Sequence, residues 1–176
     1  MKKTIRRLDS IHQQLKSTVS PIGPEQFSKR PNENEWSVAE VVQHLYLVEE
    51  RVLAELERKV KEPPVKTSLF KKLIPMRIVA FRFKRVTAPK AVRPTELLPK
   101  DSVLRRYDEA RERMKKFCSE QGKSRLNQVS LLHPVFGNID GAAAVRMLAF
   151  HEVRHFKQIN EIIRKLKLVT LPQKSD

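Results

Sequence analysis

The clearest pattern in the chain is a helical repeat over residues 142–166, near the C-terminus. Its apolar positions recur at spacings of three and four, which places them on one side of an α-helix, the side expected to face a core. These positions are Leu148, His151, His155, Ile159, Ile162 and Leu166. The pattern therefore predicts a long last helix whose buried stripe contains two histidines, His151 and His155.

Three earlier segments repeat their apolar residues at the same helical spacings. The first ends before Pro21, the second stops at Pro63, and the third starts at Asp101 or Ser102 as N-cap. Glycine occurs only four times, and few Val, Ile or Thr runs alternate as strands do. We expect an all-α helical bundle, and a chain of 176 residues predicts one domain over residues 1–176.

The second helix has a strong N-terminal signal in residues 36–41 (WSVAEV). Ser37 and Glu40 are spaced as a capping box, and Trp36 is placed to pack on Val41. The buried stripe of this helix includes His44. If this helix and the last one are neighbours, His44, His151 and His155 bring three nitrogen donors together, as a catalytic divalent-metal site requires.

Two other interpretations of these histidines stay open at this stage. A histidine in a core is often only a packing residue, because the spacing of one pair carries little information. Residues 151–155 (HEVRH) also match the HExxH pattern, in which Glu152 acts as the base of a zinc peptidase. The third histidine lies far upstream rather than shortly downstream, which disfavours a peptidase. We assign no proton-transfer role to Glu152 or Glu49.

Three features outside this set are interpreted as structural. His12 lies at the edge of the first helical stripe and is expected at the surface or boundary. The alternating charges Asp108, Glu109, Arg111, Glu112 and Arg113 are expected to form a solvated helix face. Cys118 is the only cysteine and is interpreted as a buried or half-buried thiol. A polar loop from Gln121 and a turn over residues 133–141 lead to the last helix, with Asp140 as N-cap.

The chain is strongly basic, with 36 Lys and Arg against 20 Asp and Glu and a net charge of +16. Such a charge attracts anionic partners without choosing among them. Residues 66–93 contain basic and apolar side chains and no acidic one. We interpret them as a crossover covering the bundle, with binding to nucleic acid or an anionic membrane as the alternative. No signal peptide or membrane-spanning run is recognised, so a cytoplasmic protein is expected.

Several motifs together resemble the DinB/YfiT-like superfamily: residues 30–31 (RP), 35–45 (EWSVAEVVQHL), 133–139 (HPVFGNI) and 151–159 (HEVRHFKQI). The resemblance implies an up-down-down-up four-helix bundle, here with a long basic crossover between its second and third helices. It also implies one divalent metal ion, usually nickel or zinc, on His44, His151 and His155. His133 matches a loop histidine that we treat as structural.

The resemblance implies a small-molecule enzyme, either a thiol S-transferase using a low-molecular-weight thiol or a metal-dependent hydrolase. Homodimerisation is expected as well. The alternative is a non-enzymatic, stress-related module that binds nucleic acid or an anionic membrane surface weakly through its basic segment.

Overall fold

The computed structural model describes residues 1–65, 89–133 and 137–168. Within these residues the helices are α1 (Lys2–Val19), α2 (Pro24–Ser28), α3 (Val38–Lys59), α4 (Lys100–Leu126) and α5 (Gly141–Leu166). A 3-10 turn (Lys90–Val92) precedes α4, and a short antiparallel hairpin, β1 (Ser130–His133) and β2 (Gly137–Asp140), precedes α5.

The directions of the long helices follow from which of their halves share a hydrophobic cluster. One cluster joins the start of α5 to the first half of α1 and to the later halves of α3 and α4. The other joins the end of α5 to the second half of α1 and to the first halves of α3 and α4. Thus α1 and α5 run one way and α3 and α4 run the other, which is the expected up-down-down-up bundle.

The parallel pair α3 and α4 requires a long return connection, because α3 ends at the opposite end of the bundle from where α4 begins. Residues 60–99 make this connection. The predicted basic segment, residues 66–93, lies entirely within it, and residues 66–88 lie outside the described part of the chain. Its roles as a cover or as a nucleic-acid or membrane surface therefore stay predictions.

A layer of buried polar side chains separates the two hydrophobic clusters. Each long helix contributes one member at mid-height, namely His12 of α1, Glu49 of α3, Arg111 of α4 and Glu152 of α5. The expectation of a solvated face is wrong for Arg111, which is 1% exposed. The boundary position expected for His12 is also wrong, because the carboxylate of Asp108 accepts a hydrogen bond from its ring at 2.7 Å and so permits burial.

The N-terminal signals of α3 and α5 are confirmed. Ser37 Oγ accepts a hydrogen bond from the amide of Glu40 at 3.2 Å, and the Glu40 carboxylate accepts one from the amide of Ser37 at 2.8 Å. Arg30 also pairs with that carboxylate, through Nε at 2.8 Å. Asp140 caps α5 by accepting from the amide of Ala143 at 2.6 Å. Because the capping partners are only three residues apart in the chain, local sequence determines where both histidine-bearing helices begin.

The region from α4 to α5 differs from the sequence-based expectation in three ways. The helix α4 begins at Lys100 after Pro99, without the side-chain cap expected from Asp101 or Ser102. It continues past Gln121 to Leu126, interrupted in its geometry only at Gly122, where φ is 67° and ψ is 167°. Where a turn over residues 133–141 was expected, β1 and β2 form an antiparallel hairpin that begins earlier, with Ser130 opposite Asp140.

Among the described residues, no helix is both long and apolar enough to cross a membrane.

We predict that Gly122→Ala lowers the free energy of unfolding by about 1–3 kcal/mol, because a backbone conformation with φ of 67° and ψ of 167° is essentially restricted to glycine. The matched control is Gly23→Ala, at a glycine with φ of −62° and open space around the added Cβ. The control should change stability by less than about 0.5 kcal/mol. Chemical denaturation of both variants measures the difference, and equal effects would contradict the prediction.

Candidate metal centre

The three predicted histidines meet between α3 and α5. Capping at Ser37 and Asp140 sets where the two helices begin, and the bundle packs α3 directly against α5. His44 then faces the stripe of α5 that carries His151 and His155. One nitrogen atom from each ring lies within 4.8 Å of the other two. The sequence-predicted set is therefore brought together by the fold.

The three rings stand at steep angles to one another. The centroid of His44 is 5.2 Å from that of His151 and 4.9 Å from that of His155. The His151 and His155 centroids are 4.4 Å apart, and their Nε2 atoms are 3.2 Å apart. The rings therefore bring one nitrogen each close together, as the ligands of a single ion must be.

Two of the rings are oriented by acceptors on their far side. Nδ1–H of His44 donates to the carbonyl oxygen of Val92 at 2.7 Å, and Nδ1–H of His155 donates to Oε1 of Gln158 at 2.9 Å. These bonds leave Nε2 of each ring unprotonated and facing the cluster, which is the arrangement usual behind metal-bound histidines. The donor set therefore fits a divalent ion of the nitrogen-preferring class, such as zinc or nickel.

Burial keeps the three imidazoles neutral, which is the protonation state that binds metal. It lowers the pKa of His151 to about 3, assisted by the neighbouring charges of His44 and Arg154. Burial also lowers the pKa of His155 well below its usual value, and His151 and His44 act in the same direction. The pKa of His44 is lowered by burial and partly restored by its bond to Val92. His151 Nδ1 is buried without a partner among the described residues.

The end of the crossover forms one side of the site. Besides the bond from His44 to Val92, the neighbouring Gln43 donates to the carbonyl of Glu96 at 2.7 Å and accepts from the amide of Leu98 at 2.9 Å. Two adjacent residues of α3 thus hold the chain that returns to α4. On another side, the Trp36 ring meets the His44 ring edge-on at 5.2 Å between centroids.

A family model described as the DinB superfamily matches residues 7–159 of this chain. The chain belongs to the DinB superfamily. YuaE of Bacillus subtilis (strain 168), an uncharacterized protein, is 26% identical over 147 residues, which span 83% of this chain and 88% of YuaE.

Two solved structures resemble this DinB-superfamily chain. TT2238, a four-helix bundle protein, matches with a TM-score of 0.63 and 21% identity over 91% of this chain and 98% of its own. YfiT from Bacillus subtilis, a probable metal-dependent hydrolase with an unusual four-helix bundle topology, matches with a TM-score of 0.66 and 17% identity over 96% of this chain and 88% of its own. At these identities the likenesses show the fold, and the four-helix bundle expected from the sequence is confirmed.

In this DinB-superfamily chain the HExxH match does not provide a free general base. The carboxylate of Glu152 accepts hydrogen bonds from the Tyr107 hydroxyl at 2.5 Å and from the guanidinium of Arg111. Its location in the core raises its pKa, while the charge of Arg111 opposes that shift. Glu152 is therefore bound inside the bundle, which agrees with setting the peptidase interpretation aside.

The residues that orient the site were not found from sequence. Gln158 follows His155 by three positions, so helical spacing alone could have suggested it. Val92 acts through its backbone carbonyl, which leaves no signal in the residue type. His133 ends β1 and lies outside the converging group of three nitrogens, in keeping with its interpretation as structural.

We predict that the metal-free protein loses stability as the pH falls below about 6.5. The unfolded histidines take up protons there with a pKa near 6.5, while folded His151 stays neutral down to about 3. Unfolding then gains about 1.4 kcal/mol per pH unit for each such proton. Wild type in excess chelator should therefore show a steeper fall than His151→Gln between about pH 4 and pH 6.5, measured by denaturant titrations. Equal slopes in the two proteins would contradict this origin.

Proposed function

We propose that this chain is a metal-dependent enzyme whose His44, His151 and His155 hold one divalent ion, nickel or zinc. The observation that supports this most is the convergence of three neutral imidazole nitrogens within 4.8 Å. Three protein ligands are characteristic of catalytic metal sites, because a structural zinc site is normally closed by four. The proposal is also supported by membership of the DinB superfamily and by the likeness to YfiT.

A divalent ion held by His44, His151 and His155 would supply Lewis acidity, which would lower the pKa of a water or thiol and favour a nucleophile near neutral pH. The chain's own residues orient the histidine rings and surround them. Val92 and Gln158 hold the rings of His44 and His155 in one tautomer, and Trp36 covers the edge of His44 with apolar surface. This arrangement positions the ligands before any ion arrives.

The reaction class is attack of the activated nucleophile on an electrophilic small molecule. A low-molecular-weight thiol gives S-transfer, and water gives hydrolysis. The thiol of the chain itself is unsuited to this role, because burial raises the pKa of Cys118 to about 11 and its Sγ lies against Met114. A thiol nucleophile therefore comes from a cosubstrate, and the net charge of +16 favours an anionic one. The likeness to YfiT favours water.

We further propose that this enzyme acts in the cytoplasm as a homodimer, whereas a stress-related role belongs to the alternative of a non-enzymatic module that binds nucleic acid or an anionic membrane surface. These features follow from the family resemblance and from the sequence, and size measurement and cell fractionation test them. They are independent of the metal centre.

We predict that the purified protein carries one divalent ion per chain and that His155→Ala removes it. Loss of one of three donors should weaken binding by more than about tenfold, and a chelator should lower the Tm of wild type because only the folded state binds the ion. Elemental analysis and thermal unfolding measure both effects.

His12→Gln is the control, since it alters a buried histidine of α1 outside the triad. It should lower stability while leaving metal content unchanged. A wild-type protein without an ion, whose Tm does not respond to nickel, zinc or a chelator, would contradict the proposed function.

We predict metal-dependent turnover that His44→Ala abolishes. Wild type loaded with nickel or zinc should be assayed on a set of electrophiles, with and without added low-molecular-weight thiols, by mass spectrometry of the products. Products with a new carbon–sulfur bond to the added thiol, formed only when both thiol and ion are present, identify an S-transferase. Cleavage of the electrophile into two fragments that together gain one water, formed without thiol, identifies a hydrolase. Equal product with wild type and His44→Ala would contradict catalysis at this site.

A further inference from the structure

Arg111 joins the two helices that carry the histidines, although its own helix carries none of them. From α4 it donates to Glu49 of α3 through Nε at 2.8 Å and through Nη2 at 2.9 Å. The same Nη2 donates to Glu152 of α5. The guanidinium is 1% exposed, and both carboxylates are buried. One rigid, planar group thus spans from α3 to α5.

Both carboxylates lie on the helices that carry the histidines, but at different distances from them. Glu152 directly follows His151, and Glu49 follows His44 by five positions, about 7.5 Å along the helix axis. Rotating or sliding either helix enough to separate the histidines would pull a carboxylate away from Arg111. The bidentate hydrogen bond to Glu49 restrains the relative orientation of the two side chains as well as their distance, because the planar guanidinium matches a carboxylate in one orientation.

Stability alone does not explain these charges. Burying ions costs desolvation energy, and apolar side chains of similar volume stabilise a core equally well or better. The network is also incompletely satisfied, since Arg111 Nη1 and Glu152 Oε2 have no partner among the described residues. Tyr107 adds a further hydrogen bond to Glu152 from the same helix. Such an arrangement is suited to fixing the relative positions of α3, α4 and α5.

We propose that Arg111 is a positioning residue of the metal centre, holding α3 and α5 at the separation and rotation that let His44 meet His151 and His155. This inference rests on the proposed function, because it assumes that the three histidines bind an ion. Arg111 acts through Glu49 and Glu152, because its hydrogen bonds to described residues go to these carboxylates rather than to the histidines.

The chain offers a matched control on the same helix. Asp108, one turn before Arg111, pairs with His12 at 2.7 Å and Lys16 at 2.6 Å, and so ties α4 to α1. The helix α1 carries none of the three histidines. Breaking this link should lower stability without moving the ligands relative to one another.

The experiment compares wild type, Arg111→Lys, Arg111→Met and Asp108→Ala, each shown by circular dichroism to be folded at the working temperature. Nickel and cobalt affinities are measured by competition with a chromophoric chelator, and the visible absorption of bound cobalt reports ligand geometry. Both Arg111 variants should bind about 10 to 100 times more weakly and show an altered cobalt spectrum. Arg111→Lys retains the charge without the fork and should not restore affinity.

Asp108→Ala should lower Tm yet keep metal affinity within about threefold and the wild-type cobalt spectrum. Wild-type affinity and spectrum in both Arg111 variants would overturn the positioning role, as would an equal loss of affinity in Asp108→Ala. If Arg111→Met does not fold, Glu49→Gln takes its place, since it weakens only the link to α3. A wild type that binds neither ion would overturn the proposed function itself, and that result is distinct from any difference among variants.

Discussion

The buried guanidinium of Arg111 organises the middle of this bundle. It lies between the two hydrophobic clusters, where its charge must be met by carboxylates because water cannot reach it. Glu49 and Glu152 meet it from two different helices, so these hydrogen bonds restrain the rotation of α3, α4 and α5 relative to one another. The apolar halves above and below tolerate small shifts far better, since hydrophobic contacts have no preferred direction.

Chain topology brings the end of the crossover to the histidines, beside the two helices α3 and α5 that carry them. Because α3 and α4 are parallel, the chain between them must connect opposite ends of the bundle, and the last residues of this connection lie beside the start of α3. There the carbonyl of Val92 accepts from His44, while Gln43 holds the backbone at Glu96 and Leu98. The same topology that requires a crossover therefore also supplies the acceptor that fixes the tautomer of one histidine.

The sequence was informative wherever a structure is determined by nearby residues. The capping box at Ser37 and the cap at Asp140 are local, and helical spacing placed His44 and His155 at buried positions and His151 at a half-buried one. It was misleading for Arg111, whose neighbours alternate in charge like a solvated surface, because its two carboxylates come from helices distant in the chain. His12 was misplaced for the same reason, since Asp108 lies on another helix. The backbone carbonyl of Val92 has no signature in residue type at all.

Two side chains of the bundle that could act as a base or a nucleophile are engaged or buried by the fold, although Cys118 belongs to the hydrophobic cluster at the start of α5. Glu152 is held by Tyr107 and Arg111, and the thiol of Cys118 is kept protonated by burial. The histidines themselves are neutral and have their outer nitrogens turned to Val92 and Gln158 in two of three cases. Among the described residues, then, the three histidines are arranged to hold a metal ion, and under the proposed function the nucleophile comes from solution. Under the proposed function, substrate specificity depends on the residues that line the site, and these include the end of the crossover at Val92.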